Sequence, residues 1–142
     1  MPVALVDTSV LIARADANDP FNETATEIFE GVDHGDLPVG RVTNYLVLET
    51  LNWFHTRHWH RKAVEFQDRL TASSGFEIVH CAQKDFTRAV ELFEDRETLS
   101  FGDATTVAYM QREGIEYVYS FDDDLDGVKG IKRFETADNP FA

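Results

Sequence analysis

Asp7, Glu49, Asp103 and Asp122 are the residues of this sequence whose types and settings could do chemistry. Asp7 follows the apolar run Val3–Val6 in Leu-Val-Asp-Thr-Ser-Val-Leu. Glu49 interrupts Tyr-Leu-Val-Leu-Glu-Thr-Leu-Asn-Trp-Phe. Asp103 lies in Ser-Phe-Gly-Asp-Ala-Thr-Thr-Val-Ala-Tyr, where Gly102, Ala104 and Thr105 permit close approach of another element. Asp122 opens Ser-Phe-Asp-Asp-Asp-Leu-Asp, with Asp123, Asp124 and Asp126 beside it. A carboxylate among apolar residues is costly unless something pairs with it. Several carboxylates delivered to one point suit a hard divalent cation, because Mg²⁺ takes oxygen ligands and binds a few carboxylates, waters and substrate phosphates. Two such ions roughly 4 Å apart can activate an attacking water and stabilise the leaving oxygen of a phosphodiester.

Each acid also has a local explanation. Asp7 is placed to cap a helix beginning near Thr8. Glu49 and Asn52 could form an exposed stripe on a helix that otherwise reads as buried. Ser100 and Asp103 have the spacing of a capping box. The acids of 122–126 could be a solvated loop, in which Asp122, nearest the preceding apolar run, is best placed to point into a site. Capping and metal binding do not exclude each other.

The elements that must carry these residues alternate. Val3–Val6 reads as a buried strand and Thr8–Ala15 as a helix. Asp16–Pro20 breaks the chain, and Glu23–Val32 has apolar residues at helical spacing. Gly35–Pro38 turns into a strand at Val39–Val42. Thr43 or Asn44 can cap a helix running to about His58. Ala63, Phe66 and Leu70 mark a further helix, ended by Ser73-Ser74-Gly75. Phe76–His80 is a third strand. Phe86, Ala89, Val90 and Phe93 form the stripe of the next helix, Ser100–Glu113 is a helix closed by Gly114, Tyr117–Ser120 is a fourth strand, and Ile131–Phe134 a short fifth. Alternation predicts an α/β fold over 1–142, a single domain with a mainly parallel sheet of four to five strands and helices on both faces. In such sheets function lies beyond the carboxyl ends of the strands, where Asp7 and Asp122 fall.

Bulk composition narrows the class. Hydrophobic residues make up 43 % of 142 residues, which supports one compact core. No apolar run approaches the ~20 residues that span a bilayer. The N-terminus has no basic leader segment, and Cys81 is the only cysteine, so an internal disulfide is excluded. These features predict a cytoplasmic protein without membrane partners. The formal charge of -13 argues against binding phosphates through lysine and arginine. A salt-rich, halophilic setting would account for it, because salt screens the self-repulsion, and a metal site would bring its own positive charge.

The four acidic segments, Val-Asp-Thr-Ser-Val-Leu, Leu-Glu-Thr-Leu, Ser-Phe-Gly-Asp-Ala and Tyr-Ser-Phe-Asp-Asp-Asp-Leu-Asp, resemble in order and spacing the acidic motifs of PIN domains. The length resembles the stand-alone toxin ribonucleases of type II toxin–antitoxin pairs, the VapC group. The resemblance implies an endoribonuclease dependent on Mg²⁺ or Mn²⁺, with Asp7 and Asp103 as principal metal ligands and Glu49 and Asp122 completing the catalytic pocket. It implies an RNA substrate, a homodimer and an antitoxin that blocks the site. Ser9 would orient water or phosphate. The extra acids Asp123, Asp124 and Asp126 leave open which one fills the fourth position.

Alternatives stand beside this reading: a housekeeping RNA-processing nuclease, an aspartyl-phosphate phosphatase with Asp7 as nucleophile, and a catalytically inactive binding module. Asp7-Thr8-Ser9 lacks the second acid expected of haloacid-dehalogenase phosphatases, and no phosphate-cradling glycine loop is present. The basic stretch His55–Lys62, with Trp59 inside it, fits either RNA contact or a solvated helix end, the latter preferred on sequence grounds. Lys129, Lys132 and Arg133 form a smaller basic group. Cys81 reads as a packed residue rather than a nucleophile.

Overall fold

A computed structural model describes residues 1–142. Five strands form one sheet in the order β3-β2-β1-β4-β5: β1 (Val3–Val6), β2 (Val39–Thr43), β3 (Phe76–Val79), β4 (Tyr117–Tyr119) and β5 (Lys132–Phe134). Every pairing is parallel. Helices α1 (Thr8–Ala15), α2 (Asn22–His34), α3 (Asn44–Thr56), α4 (His60–Ala72), α5 (Gln83–Asp95) and α6 (Phe101–Glu113) supply the crossovers. The predicted α/β architecture, a parallel sheet with helices on both faces, is therefore the one observed, with the fifth strand present and parallel.

Strand alternation sorts the core onto two faces. Ala4, Val6, Val42 and Tyr119 pack with α1 to α4. Leu5 and Val118, the alternate positions, pack with α5 and α6. The helix ends follow local chemistry. The Thr43 hydroxyl accepts from the Leu46 N–H at 3.2 Å and caps α3. Gly114 closes α6 at φ +68, a conformation that favours glycine.

Two expectations shift in detail. Helix α3 ends at Thr56 rather than near His58, because His58 adopts φ +59 and turns the chain into α4. The apolar run 45–54 does not make α3 buried all round: Leu46, Thr50 and Phe54 are buried, while Leu48, Glu49 and Asn52 are exposed. The helix lies in an outer layer, so only its inward stripe is covered.

Parallel order sets the site. Strands β1 and β4 are neighbours, so the residues after them emerge side by side. Helix α3 starts where β2 ends on the other side of β1. Helix α6 precedes β4 and returns against it, which brings its first turn to the same edge of the sheet.

Candidate metal centre

Asp7 is buried, with 7 % of its surface exposed. Its backbone N–H donates to the Tyr119 carbonyl at 2.9 Å, continuing the pairing between β1 and β4. It stands at the N-cap position of α1, yet its side chain makes no cap hydrogen bond. Instead Oδ2 accepts from the Ser9 hydroxyl at 3.0 Å and the Ser120 hydroxyl at 2.9 Å. The main partners of the Asp7 carboxylate are therefore the two hydroxyls, with the first backbone N–H groups of α1 contributing less. Burial raises its pKa, and the two hydroxyls oppose that rise.

Ser120 is fully buried, and sequence reasoning misses it. Its only signal there is a hydroxyl at the end of an apolar strand. Its Oγ also accepts from the Asp122 N–H at 3.1 Å, while the Ser9 Oγ accepts from the Phe121 N–H at 3.0 Å. The two serines thus tie Asp7 to the chain turning out of β4. Ser9 thereby donates to Asp7 and accepts from the turn with the same hydroxyl.

Asp103 sits in the first turn of α6 and does cap it. Its N–H donates to Ser100 Oγ at 3.1 Å, and its Oδ2 accepts from the Ser100 N–H at 3.3 Å. Cap and cluster coexist here: oxygens of Asp103, Asp122 and Asp124 lie within 4.8 Å of one another. Burial, with repulsion from Asp7 and Asp122, pushes Asp103 up to about 6 against the pull of its Ser100 bonds.

Glu49 is exposed as a residue, but its carboxylate rests on the backbone of Gly102. A Cβ built at Gly102 would lie 1.9 Å from Glu49 Oε1, so the approach exists because residue 102 has no side chain. Partial burial there, then repulsion from Asp7 and Asp103, raises Glu49 to about 7.

The loop after β4 resolves part of the ambiguity among its acids. Asp122 Oδ1 accepts from the Asp124 N–H at 3.1 Å and starts a 3-10 turn over Asp123–Leu125. Arg133 clamps Asp126 with two bonds of 2.9 and 3.0 Å, which lowers the Asp126 pKa and commits it as a loop anchor. Asp124 is half-buried, and burial together with Asp122, Asp123 and Asp7 raises its pKa. Asp122 and Asp124 face Asp103; Asp123 is not in that group.

None of Asp7, Glu49, Asp103, Asp122 or Asp124 forms a salt bridge. Convergent carboxylates without a cation are a site of stored repulsion, and an all-oxygen donor set fits Mg²⁺ or Mn²⁺ rather than a thiophilic metal. Cys81 stands apart; burial and then Asp85 push its thiol up to about 11, the opposite of an activated nucleophile. No helix is long and apolar enough to cross a membrane.

Comparison with known proteins places this geometry. The model of the PIN domain matches residues 4–131. The 23S rRNA-specific endonuclease VapC20 of Mycobacterium tuberculosis is 31 % identical over 122 residues, covering 84 % of this chain and 89 % of that protein. The crystal structure of M. tuberculosis VapC20, described as a sarcin-ricin loop cleaving toxin, aligns with TM-score 0.74 and 28 % identity over 89 % of this chain and 95 % of that one. A toxin–antitoxin complex from Klebsiella pneumoniae shares the fold at TM-score 0.65 and 22 % identity, over 96 % of this chain and 98 % of that one. VapBC2 from Rickettsia felis, bound to promoter DNA, shares it at 0.71 and 10 %, over 93 % and 97 %. The carboxylates gathered beyond β1 and β4 thus stand on a parallel α/β scaffold shared with these proteins, and the chain belongs to the PIN-domain family.

Proposed function

We propose that this chain is an endoribonuclease dependent on Mg²⁺ or Mn²⁺, acting in the cytoplasm as the toxin of a toxin–antitoxin pair. The observation that carries the proposal is the convergence of Asp103, Asp122 and Asp124, with no cationic side chain among them; buried Asp7 lies outside that tight group but near enough to repel Asp103 and Asp124. The relationship to VapC20 supports RNA as substrate, and 23S rRNA is the first RNA to test. The solved toxin–antitoxin complexes of the same fold support an antitoxin as partner. A homodimer is the assembly proposed for the toxin.

In this reading Asp7 and Asp103 hold the metal, with Asp122 and Asp124 beside them and Glu49 closing the pocket. A bound divalent cation supplies positive charge to the phosphate and lowers the pKa of its water. The chain's residues do the positioning. Ser9 and Ser120 fix Asp7 Oδ2, and the Ser100 cap fixes one oxygen of Asp103. Glu49, raised to about 7 in the metal-free chain by burial and its acidic neighbours, is placed to accept a proton from the attacking water. The test is incubation of purified chain with RNA and Mg²⁺. RNA fragments are expected. Transfer of label from a phosphoryl donor onto Asp7, with RNA left intact, would establish the aspartyl-phosphate alternative instead.

Gly102→Ala isolates the role of Glu49. The clash falls on the end of a flexible side chain, and alanine has the better helix propensity by up to ~1 kcal/mol. The fold should melt no lower than wild type. Displacement of the Glu49 carboxylate should cost roughly ten- to hundredfold in cleavage, the scale of an ångström-sized misplacement. Undiminished cleavage by this variant would remove Glu49 from the pocket.

The charge of -13 supports a salt-adapted, halophilic protein. Its melting temperature should climb as KCl rises from near zero towards molar concentrations, because screening weakens self-repulsion. A flat or falling midpoint would leave the acidic surface without this explanation.

A further inference from the structure

The basic stretch after α3 is a helix end with an aromatic floor: Arg57 Nη1 donates to the Trp53 carbonyl at 3.4 Å, as a cation at a helix C-terminus does, and the same guanidinium lies on the Trp53 ring. Arg41, Arg88, Arg112, Lys132 and Arg133 are all held in ion pairs. Arg57, Arg61, Lys62 and Arg69 are exposed and have none, in a chain with 26 acids; Lys84, Arg96 and Lys129 are also exposed and unpaired, but they stand apart from one another in the sequence. Two of these cations lie on tryptophan rings. The Arg57 guanidinium is 3.9 Å from the Trp53 ring centroid, and Lys62 Nζ is 4.3 Å from that of Trp59. The two indoles pack edge to face with centroids 5.5 Å apart. Cation–π stacking orients the charge, and a guanidinium keeps donors at its rim for a phosphate.

This platform is continuous with the carboxylate site. Trp53 follows Glu49 by four residues, so both lie on one face of α3, about 6 Å apart along its axis. Beyond Lys62 lies a cleft of about 200 Å³ with a floor of Phe29, Phe54 and Phe66. Arg14, Lys62 and Arg69 rim it together with Glu65, and Arg14 Nε is buried there without a hydrogen-bond partner.

We propose that this surface is an RNA exosite: the strand leaving the catalytic carboxylates runs along the Glu49–Trp53 face of α3, and its phosphates are taken by Arg57, Arg61 and Lys62. The exosite rests on the ribonuclease reading. It answers a difficulty that reading raises, since a chain of net charge -13 offers RNA few unpaired cations, and the group at the turn between α3 and α4 adjoins the Glu49 face of α3. Continuity with the acidic site selects RNA over an acidic peptide: a phosphate chain anchored at the carboxylates must cross some neighbouring surface, and this one joins unpaired cations to the Glu49 face.

The experiment is equilibrium binding of a fluorescently labelled RNA hairpin across a KCl series, on an Asp7→Asn background that leaves the RNA intact. Arg57→Gln with Lys62→Gln should weaken binding about tenfold at low salt. The slope of log Kd against log[KCl] should fall by ~2, because each phosphate neutralised by a cation contributes about one unit. Arg57→Lys with Lys62→Arg, which preserves charge, should restore affinity and slope. Arg61→Gln alone, which leaves both cation–π pairs in place, gives a second reading if the first variant melts abnormally; it too should weaken binding and lower the slope by about 1. Unchanged affinity and slope in folded variants would overturn the exosite. So would retention of RNA binding with selective loss of polyglutamate binding, which would mark a surface for an acidic protein. Failure of the wild type to cleave RNA is a separate result and strikes the nuclease reading, because binding here is read without cleavage.

Discussion

Asp103→Asn should lower RNA cleavage by two to three orders of magnitude while leaving the metal-free protein as stable as wild type. Asparagine keeps an oxygen that can accept from the Ser100 N–H, so the capping box survives. The substitution removes a negative charge from the helix N-terminus, a loss of about 0.3–1 kcal/mol. It also removes the repulsion that Asp7 and Asp122 exert on Asp103, and the two terms oppose. Cleavage has no such compensation, because the transition-state cation is deprived of a ligand; removing a single preorganised electrostatic partner commonly costs about 10²–10³ in rate. Mg²⁺ or Mn²⁺ should raise the wild-type melting temperature by mass action, and the variant should forfeit much of that rise. A paired melt series and cleavage assay on both proteins checks this. A variant that is destabilised without metal, yet cleaves and responds to metal like wild type, would reduce Asp103 to a helix cap.

Chelation should abolish cleavage altogether, and restored Mg²⁺ or Mn²⁺ should return it with a pH dependence set by two carboxyls. Glu49 lies at about 7 and Asp103 at about 6 without metal, each raised first by burial and then by neighbouring acids. A cation must displace their protons, so the metal concentration for half-maximal cleavage should rise steeply as pH falls from about 8 to about 6. Stability of the metal-free fold should move the other way. Groups whose folded pKa exceeds the unfolded value bind more protons when folded. Their contribution is therefore most favourable below the unfolded carboxylate range and is lost as pH rises through about 6 to 7. Metal-free wild type should melt higher near pH 5 than near pH 8, and Asp103→Asn should show less of this difference. Equal cleavage in EDTA would remove the metal mechanism; a metal requirement independent of pH would remove Glu49 and Asp103 as the groups that compete with protons.

Local sequence determined the order of elements and their ends. Short apolar runs and helical apolar spacing mark β1 to β4 and the helices, while the sequence narrows the α3 cap to Thr43 or Asn44 and Gly114 announces the end of α6, because these signals depend on neighbours within one turn or one strand. Parallel alternation also places Asp7 and Asp122 at the carboxyl edge without any tertiary information. What only tertiary structure decided are contacts between residues far apart in the chain. Asp103 could not be separated from its capping box until its oxygens were found beside Asp122 and Asp124. Asp126 left the group because Arg133 claims it. Ser120 entered because its hydroxyl reaches Asp7 across adjacent strands. The close approach that Gly102 permits is legible in the sequence, but only the fold showed that Glu49 makes it, and Trp53 met Trp59 only through the turn at His58. The periodicities that build strands and helices report which face is buried. They do not report which partner meets that face, since a partner is chosen by packing and charge balance over the whole sheet.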